Sequence, residues 1–151
     1  MKNKILLTGS EGLIGGIIKP NLEKEYELYC LDIKDKNDHN YFKIDISKIE
    51  QLENSFDKIP KMDIIIHLAA DPRPNAPWES ILNKNIIGTK NVYEIAHKYG
   101  VNKVIFASSN HVTGAYEGFP PGLCNTIKIR YNSGINIKIK SYAAKNFTNC
   151  S

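Results

Sequence analysis

The chain has 151 residues, 42% hydrophobic, 24% charged and 9% aromatic, the balance of one ordinary globular domain, which disfavours disorder, collagen and a disulfide scaffold. The formal charge of +4 is unevenly placed: residues 1–117 hold all 16 acids and 15 bases, whereas residues 118–151 hold Lys128, Arg130, Lys138, Lys140 and Lys145 and no acid. No apolar run reaches the roughly 20 residues of a bilayer helix, Ile5–Leu7 is too short for a signal-peptide core, and Cys30, Cys124 and Cys150 lack metal-ligand spacing, so a cytoplasmic chain with reduced thiols and no metal is expected.

In chain order, Lys4–Thr8 is a short apolar run halted by glycine, the pattern of a buried parallel strand. Leu13, Ile14, Ile17, Ile18 and Leu22 give a helix to about Glu25, expected to kink or end at Pro20, which removes a backbone donor. Tyr26–Ile33 is a second strand, with Cys30 in the core, and Tyr41–Ile44 a short third. Ser47 opens a helix to about Phe56, with Glu50 placed for a capping box. Asp63–Leu68 is a fourth strand, and after a Pro-rich loop a long helix runs from Trp78 to Lys98, with Trp78 packing the loop onto it and Gly100 ending it. Lys103–Ser108 is the fifth strand.

Strands alternating with helices predict a parallel sheet covered on both faces. Beyond Glu117 the alternation stops, and Ile127–Lys140 interleaves apolar and basic residues without helical periodicity. The expected organisation is a domain over residues 1–117 and a basic irregular tail over 118–151. A nucleic-acid arm is disfavoured, because the tail has no recognisable binding motif.

Thr8-Gly9-Ser10-Glu11-Gly12-Leu13-Ile14-Gly15 follows a strand and opens a helix, the context in which glycine spacing makes a phosphate site. Gly9 permits the turn, Gly12 lets a pyrophosphate approach the amides of Gly12, Leu13 and Ile14, and Gly15 allows close helix packing. Asp32, 17 residues after Gly15, stands where an acid binds the adenosine ribose and repels a 2′-phosphate, favouring NAD over NADP, although Lys34 pulls the other way. Read without that context, the glycines also suit a plain turn, and Asp32 a solvated strand end. His39, near Asp35 and Asp38, reads more simply as part of a solvated loop than as a metal ligand, His67 as a hydrogen-bonded core residue, and His97 as a helix-end cation.

The spacing Gly9-x-x-Gly12-x-x-Gly15 resembles the extended short-chain dehydrogenases, the NAD-dependent epimerase/dehydratase family. Asp45-Ile46 looks like its adenine-contacting pair, His67-Leu68-Ala69-Ala70 its cofactor-lining turn, Asn85-Ile86-Ile87-Gly88-Thr89-Lys90-Asn91 its long-helix signature, and Phe106 to Gly114 the segment delivering the catalytic serine. The resemblance spans about residues 3–119. It implies a Rossmann-type doubly wound α/β sheet, strand order 3-2-1-4-5, truncated after strand five, that binds a dinucleotide and acts on a sugar or nucleotide-sugar by hydride transfer. Gly9, Gly12, Leu13, Ile14, Gly15, Asp32, Asp45, Ile46, Leu68, Ala69, Ala70 and Asn85 would line the cofactor.

Ser109-Asn110-His111 is similar to the same segment of uronate dehydrogenase-like members, implying that all three face substrate, with Ser109 catalytic. The bare residues equally allow turn-forming serines and a loop histidine. The family's Tyr-x-x-x-Lys, in which the lysine lowers the tyrosine's pKa, does not follow Ser109; Tyr142 and Lys145 are one residue too close. A truncated or frame-shifted chain with little or no turnover is therefore expected, the alternative being a non-catalytic nucleotide-binding module. An uncovered fifth strand predicts self-association into a homo-oligomer.

Overall fold

The computed structural model describes residues 2–108, 127–130 and 136–139. The chain divides into two compact units, Met1–Phe106 and Ala107–Ser151, so the division falls eleven residues before the compositional boundary at 117.

The first unit holds five strands: β1 (Lys4–Thr8), β2 (Glu27–Asp32), β3 (Tyr41–Lys43), β4 (Ile64–His67) and β5 (Lys103–Phe106). They form one sheet in the order β3-β2-β1-β4-β5, every neighbouring pair parallel, as the strand-helix alternation and the family resemblance imply. The register places Leu6 opposite Ile65 and Tyr29, and Ile65 opposite Val104, so these side chains share one face of the pleat. Against that face pack Leu52 and Phe56 of α2 (Ile49–Phe56) and Val92 and Ile95 of α4 (Gly88–Lys98), closing a single hydrophobic core. Ile5, Leu7 and Cys30 point to the opposite face, towards α1 (Leu13–Glu25), and are also buried.

Helix α1 spans Leu13–Glu25, the bounds that the apolar spacing gives, and of the two outcomes allowed at Pro20 it does not end there; Pro20 and Gly16, whose carbonyl loses its partner, are both exposed, so water can take the freed acceptor. Two local expectations are corrected. The capping box at Ser47 is absent. Instead the Asp45 carboxylate accepts the Ser47 amide at 2.9 Å and the Asp45 carbonyl accepts that of Lys48 at 3.0 Å, a turn that delays the helix to Ile49. Trp78 does not pack the loop; it is 65% exposed.

The long helix forms in three parts, α3 (Trp78–Ser80), a π-helical stretch (Ile81–Ile87) and α4, joined by helical backbone at Ile81 and Gly88. Its end is as expected: Gly100 takes φ +62°, and the Val101 amide returns to the Ala96 carbonyl at 2.8 Å. In the second unit, where irregular structure was expected, β6 (Ile127–Arg130) and β7 (Asn136–Ile139) pair antiparallel, Ile127 opposite Ile139. No helix among the described residues is long and apolar enough to cross a membrane.

Candidate functional site

The carboxyl ends of β1, β2 and β4 meet at the point where the strand order reverses, the usual crevice of an open α/β sheet. Gly9 turns the chain out of β1 with φ +73°, and a Cβ there would stand 2.7 Å from the Ala69 amide nitrogen, so only glycine lets the loop after β4 come this close. A Cβ on Gly15 would collide with the Gly9 carbonyl and lie 2.8 Å from Ser10 Cα. That lets α1 start directly above the turn.

The start of α1 is electrostatically open. Gly12 is its N-cap, no side chain caps its amides, and no acid lies in its first turn. By helix geometry the amides of Leu13, Ile14 and Gly15 have no intrahelical partner, and the positive end of the dipole is uncompensated there. Leu13 and Ile14 themselves are exposed, at 83% and 55%.

Asp32 ends β2 and is 7% exposed, so it is not the solvated strand end that its position alone allowed. Its Oδ2 accepts the Glu11 amide at 2.9 Å and its Oδ1 the Lys34 amide at 3.1 Å. The acid and the glycine loop are thereby one hydrogen-bonded unit, and each carboxylate oxygen keeps lone-pair capacity for a further donor.

On the other side of the crevice, His67 is fully buried at the end of β4. The Thr8 hydroxyl oxygen lies 3.3 Å from both the Leu68 and Ala69 amides, which donate to it, so its own hydrogen goes to His67 Nδ1 at 2.7 Å. His67 then carries its proton on Nε2 and donates to Thr89 Oγ1 at 3.1 Å. Burial lowers its pKa to about 4, which keeps the ring neutral. This is the hydrogen-bonded core histidine expected, and it ties β1, β4 and α4 together beneath the crevice.

The loop after β4 is held by polar contacts. Asp71 Oδ1 accepts Arg73 Nε at 2.9 Å, and its Oδ2 accepts Arg73 Nη2 at 2.7 Å and the Ser80 hydroxyl at 2.6 Å. The Arg73 guanidinium first, and the Ser80 hydroxyl second, hold the Asp71 carboxyl well below the ordinary carboxylate range. Asn85 Oδ1 accepts the Asp71 amide at 2.7 Å and its Nδ2 donates to the Asp71 carbonyl at 3.0 Å. Sequence reading missed Asp71, Arg73 and Thr8 as organising residues; the signal available was an Asp-x-Arg four residues past the end of β4.

The remaining predicted cofactor residues are distributed around this frame. Leu68 and Ala69 are half-buried and Ala70 is exposed. Asp45 begins the turn before α2, while Ile46 is buried, its side chain against Gly88 and its carbonyl accepting Asn91 Nδ2 at 2.9 Å. A cleft of about 810 Å³ runs beside Ile33, Tyr41 and Asp45 and reaches Lys58 and Lys84. Ser109, Asn110 and His111, and the Tyr142/Lys145 pair, lie outside the described residues. Among the described residues no group of three or more His, Cys, Asp or Glu could hold a metal ion, and Cys30 is free and buried, its thiol pushed up to about 11 by burial.

Comparison with known proteins points one way. A model of the NAD dependent epimerase/dehydratase family matches residues 5–134, fifteen residues beyond the stretch over which the motifs were legible. An NAD-dependent glucose-6-phosphate dehydrogenase of Haloferax volcanii is 36% identical over 126 residues, 78% of this chain and 47% of that protein. A uronate dehydrogenase of Pseudomonas syringae pv. tomato is 32% identical over 120 residues, 76% of this chain and 42% of its own length. The crystal structure of a mutant uronate dehydrogenase from Agrobacterium tumefaciens in complex with NAD superposes with a TM-score of 0.65 at 29% identity, covering 72% of this chain and 42% of that one. The chain thus spans less than half the length of these relatives.

Proposed function

Because the chain belongs to the NAD dependent epimerase/dehydratase family, we propose that it is the dinucleotide-binding part of a sugar dehydrogenase or epimerase, and that its dinucleotide is NAD. The observation that carries this reading is the bond from the Glu11 amide to Asp32, which couples the ribose-binding acid to the glycine loop in one crevice. The residues fit the group: uncapped amides at the start of α1 suit a pyrophosphate, a glycine stands wherever backbone approach is needed, and a carboxylate with spare acceptors suits ribose hydroxyls.

In this reading Leu13 and Ile14 offer amides to the diphosphate, Gly12, whose own amide donates to the Gly9 carbonyl at 3.1 Å, gives it room to approach, Gly9 and Gly15 supply the close packing, and Asp32 accepts from the adenosine ribose. Asp45 and Ile46 border the adenine end, beside the cleft at Ile33. Leu68 and Ala69, pinned by Thr8, and Ala70 after them wall the crevice towards the nicotinamide end. Asn85 acts there by holding the Asp71 backbone. NAD, when bound, supplies a hydride acceptor at its nicotinamide ring. Ser109, Asn110 and His111 would hold the sugar, Ser109 orienting the reacting oxygen. With no Tyr-x-x-x-Lys after Ser109, this 151-residue chain lacks the usual proton acceptor and is expected to bind NAD while turning over sugars slowly or not at all.

Calorimetric titration with NAD and NADP tests the reading. Tighter binding of NAD, with the preference lost in Asp32→Ala, is expected; a folded chain that binds neither dinucleotide would overturn it.

A further inference from the structure

The region around Asp32 contains a conflict that residue types alone leave open. An acid there repels a 2′-phosphate, yet Lys34 and Lys36 follow it and Lys19 lies nearby, and cations at such a position attract one. The geometry shows where these cations are committed. Lys34 Nζ donates to the Glu11 carbonyl at 2.8 Å. Lys36 Nζ lies 3.0 Å from Glu11 Oε1, and Lys19 Nζ 4.0 Å from the same oxygen. Lys19 is further held by Asp38 at 3.0 Å and Glu23 at 3.7 Å, whereas Lys36 has Asp38 only at 4.0 Å. Lys36 therefore depends on Glu11 for its close ion pair. Both side chains remain within reach of a ligand, 40% exposed for Lys36 and 25% for Glu11.

We propose that Glu11 is a specificity-determining residue: its carboxylate occupies Lys36 and so withholds from a 2′-phosphorylated dinucleotide a cation of the loop that follows Asp32. This deepens the NAD reading above and rests on it. Asp32 repels the 2′-phosphate directly, and Glu11 removes the compensating attraction from the neighbouring loop. The Lys34 contact is to the Glu11 main chain, so it survives a change of the Glu11 side chain and isolates the contribution of Lys36.

The test titrates NAD and NADP calorimetrically into the 151-residue chain, unaltered and as Glu11→Gln, Lys36→Met and the double variant. Glu11→Gln should raise NADP affinity about fivefold, the size of one semi-exposed ion pair, with NAD affinity nearly unchanged. The double variant should lose that gain, and Lys36→Met alone should leave the weak NADP binding as it was. No gain in Glu11→Gln, an equal gain for both dinucleotides, or a fall in NADP affinity in Lys36→Met would each overturn the proposal. The Lys36→Met arm decides even if Glu11→Gln fails to fold. Absence of NAD binding by the unaltered chain would bring down the NAD reading and this proposal with it, whereas NAD binding with unmoved selectivity defeats this proposal alone.

Discussion

The two faces of the sheet achieve burial by different means. On the face towards α2 and α4, Leu6, Leu31, Ile65 and Val104 meet Leu52, Val92 and Ile95, and side chain fills the space against side chain. On the face towards α1, Ile5, Leu7 and Cys30 are covered by a helix whose buried residue is Gly15, while Leu13, Ile14 and Ile17 stand outward and Ile105 is 44% exposed. One face is closed by volume, the other by the close approach of backbone. The second arrangement carries less apolar contact, but it brings the positive end of α1 onto the crest of the sheet, where an anion can reach it.

If that contrast is right, Gly15→Ala should be the most damaging single methyl among the described glycines of α1. It would drive a Cβ into the Gly9 carbonyl and Ser10 backbone, at a cost of about 4 kcal/mol in urea unfolding or outright failure to fold. On the other face Leu52→Ala, which empties a fully buried site, should cost about 3 kcal/mol. A Gly15→Ala chain as stable as the parent would erase the distinction between the two faces.

The junction between them is open to test by pH. His67 titrates at about 4 when buried, against 6.5 for the free side chain. Between those values the unfolded chain takes up a proton that the folded chain refuses, so stability falls as pH drops from about 6.5 to 4, by about 3 kcal/mol in all. His67→Gln should flatten that part of the profile in denaturant melts at successive pH values; an unchanged slope would assign it to other groups.

Smaller effects sharpen the comparison. A Cβ on Gly16 meets open space, so Gly16→Ala, one residue from the most damaging site, should raise stability by about 0.5 to 1 kcal/mol. Ile17→Ser, at a side chain 66% exposed, should change stability by no more than about 0.5 kcal/mol. A large loss at Ile17 would mean that this outward face is covered in solution, which light scattering on both proteins would detect as a difference in association.

Much of this was legible from residue order. The apolar runs located five strands to within two residues at either end, and glycine spacing after β1 located the crevice. Where local reading failed, a competing polar group had intervened: Asp45 took the amide that Ser47 was expected to cap, and Asp71 with Arg73 and Ser80 took the anchoring role expected of Trp78. Such contests are decided by geometry over a few ångströms, which residue types do not encode.

The parallel sheet and its glycine-rich turn were determined by sequence alone, because hydrophobic periodicity and glycine placement act through neighbours along the chain. The commitment of Lys36 to Glu11, of Asn85 to the Asp71 backbone and of His67 to two threonines was decided only by the tertiary structure. Each joins groups 14 to 59 residues apart, and a hydrogen bond or ion pair of that kind exists only once the fold has fixed both partners at contact distance.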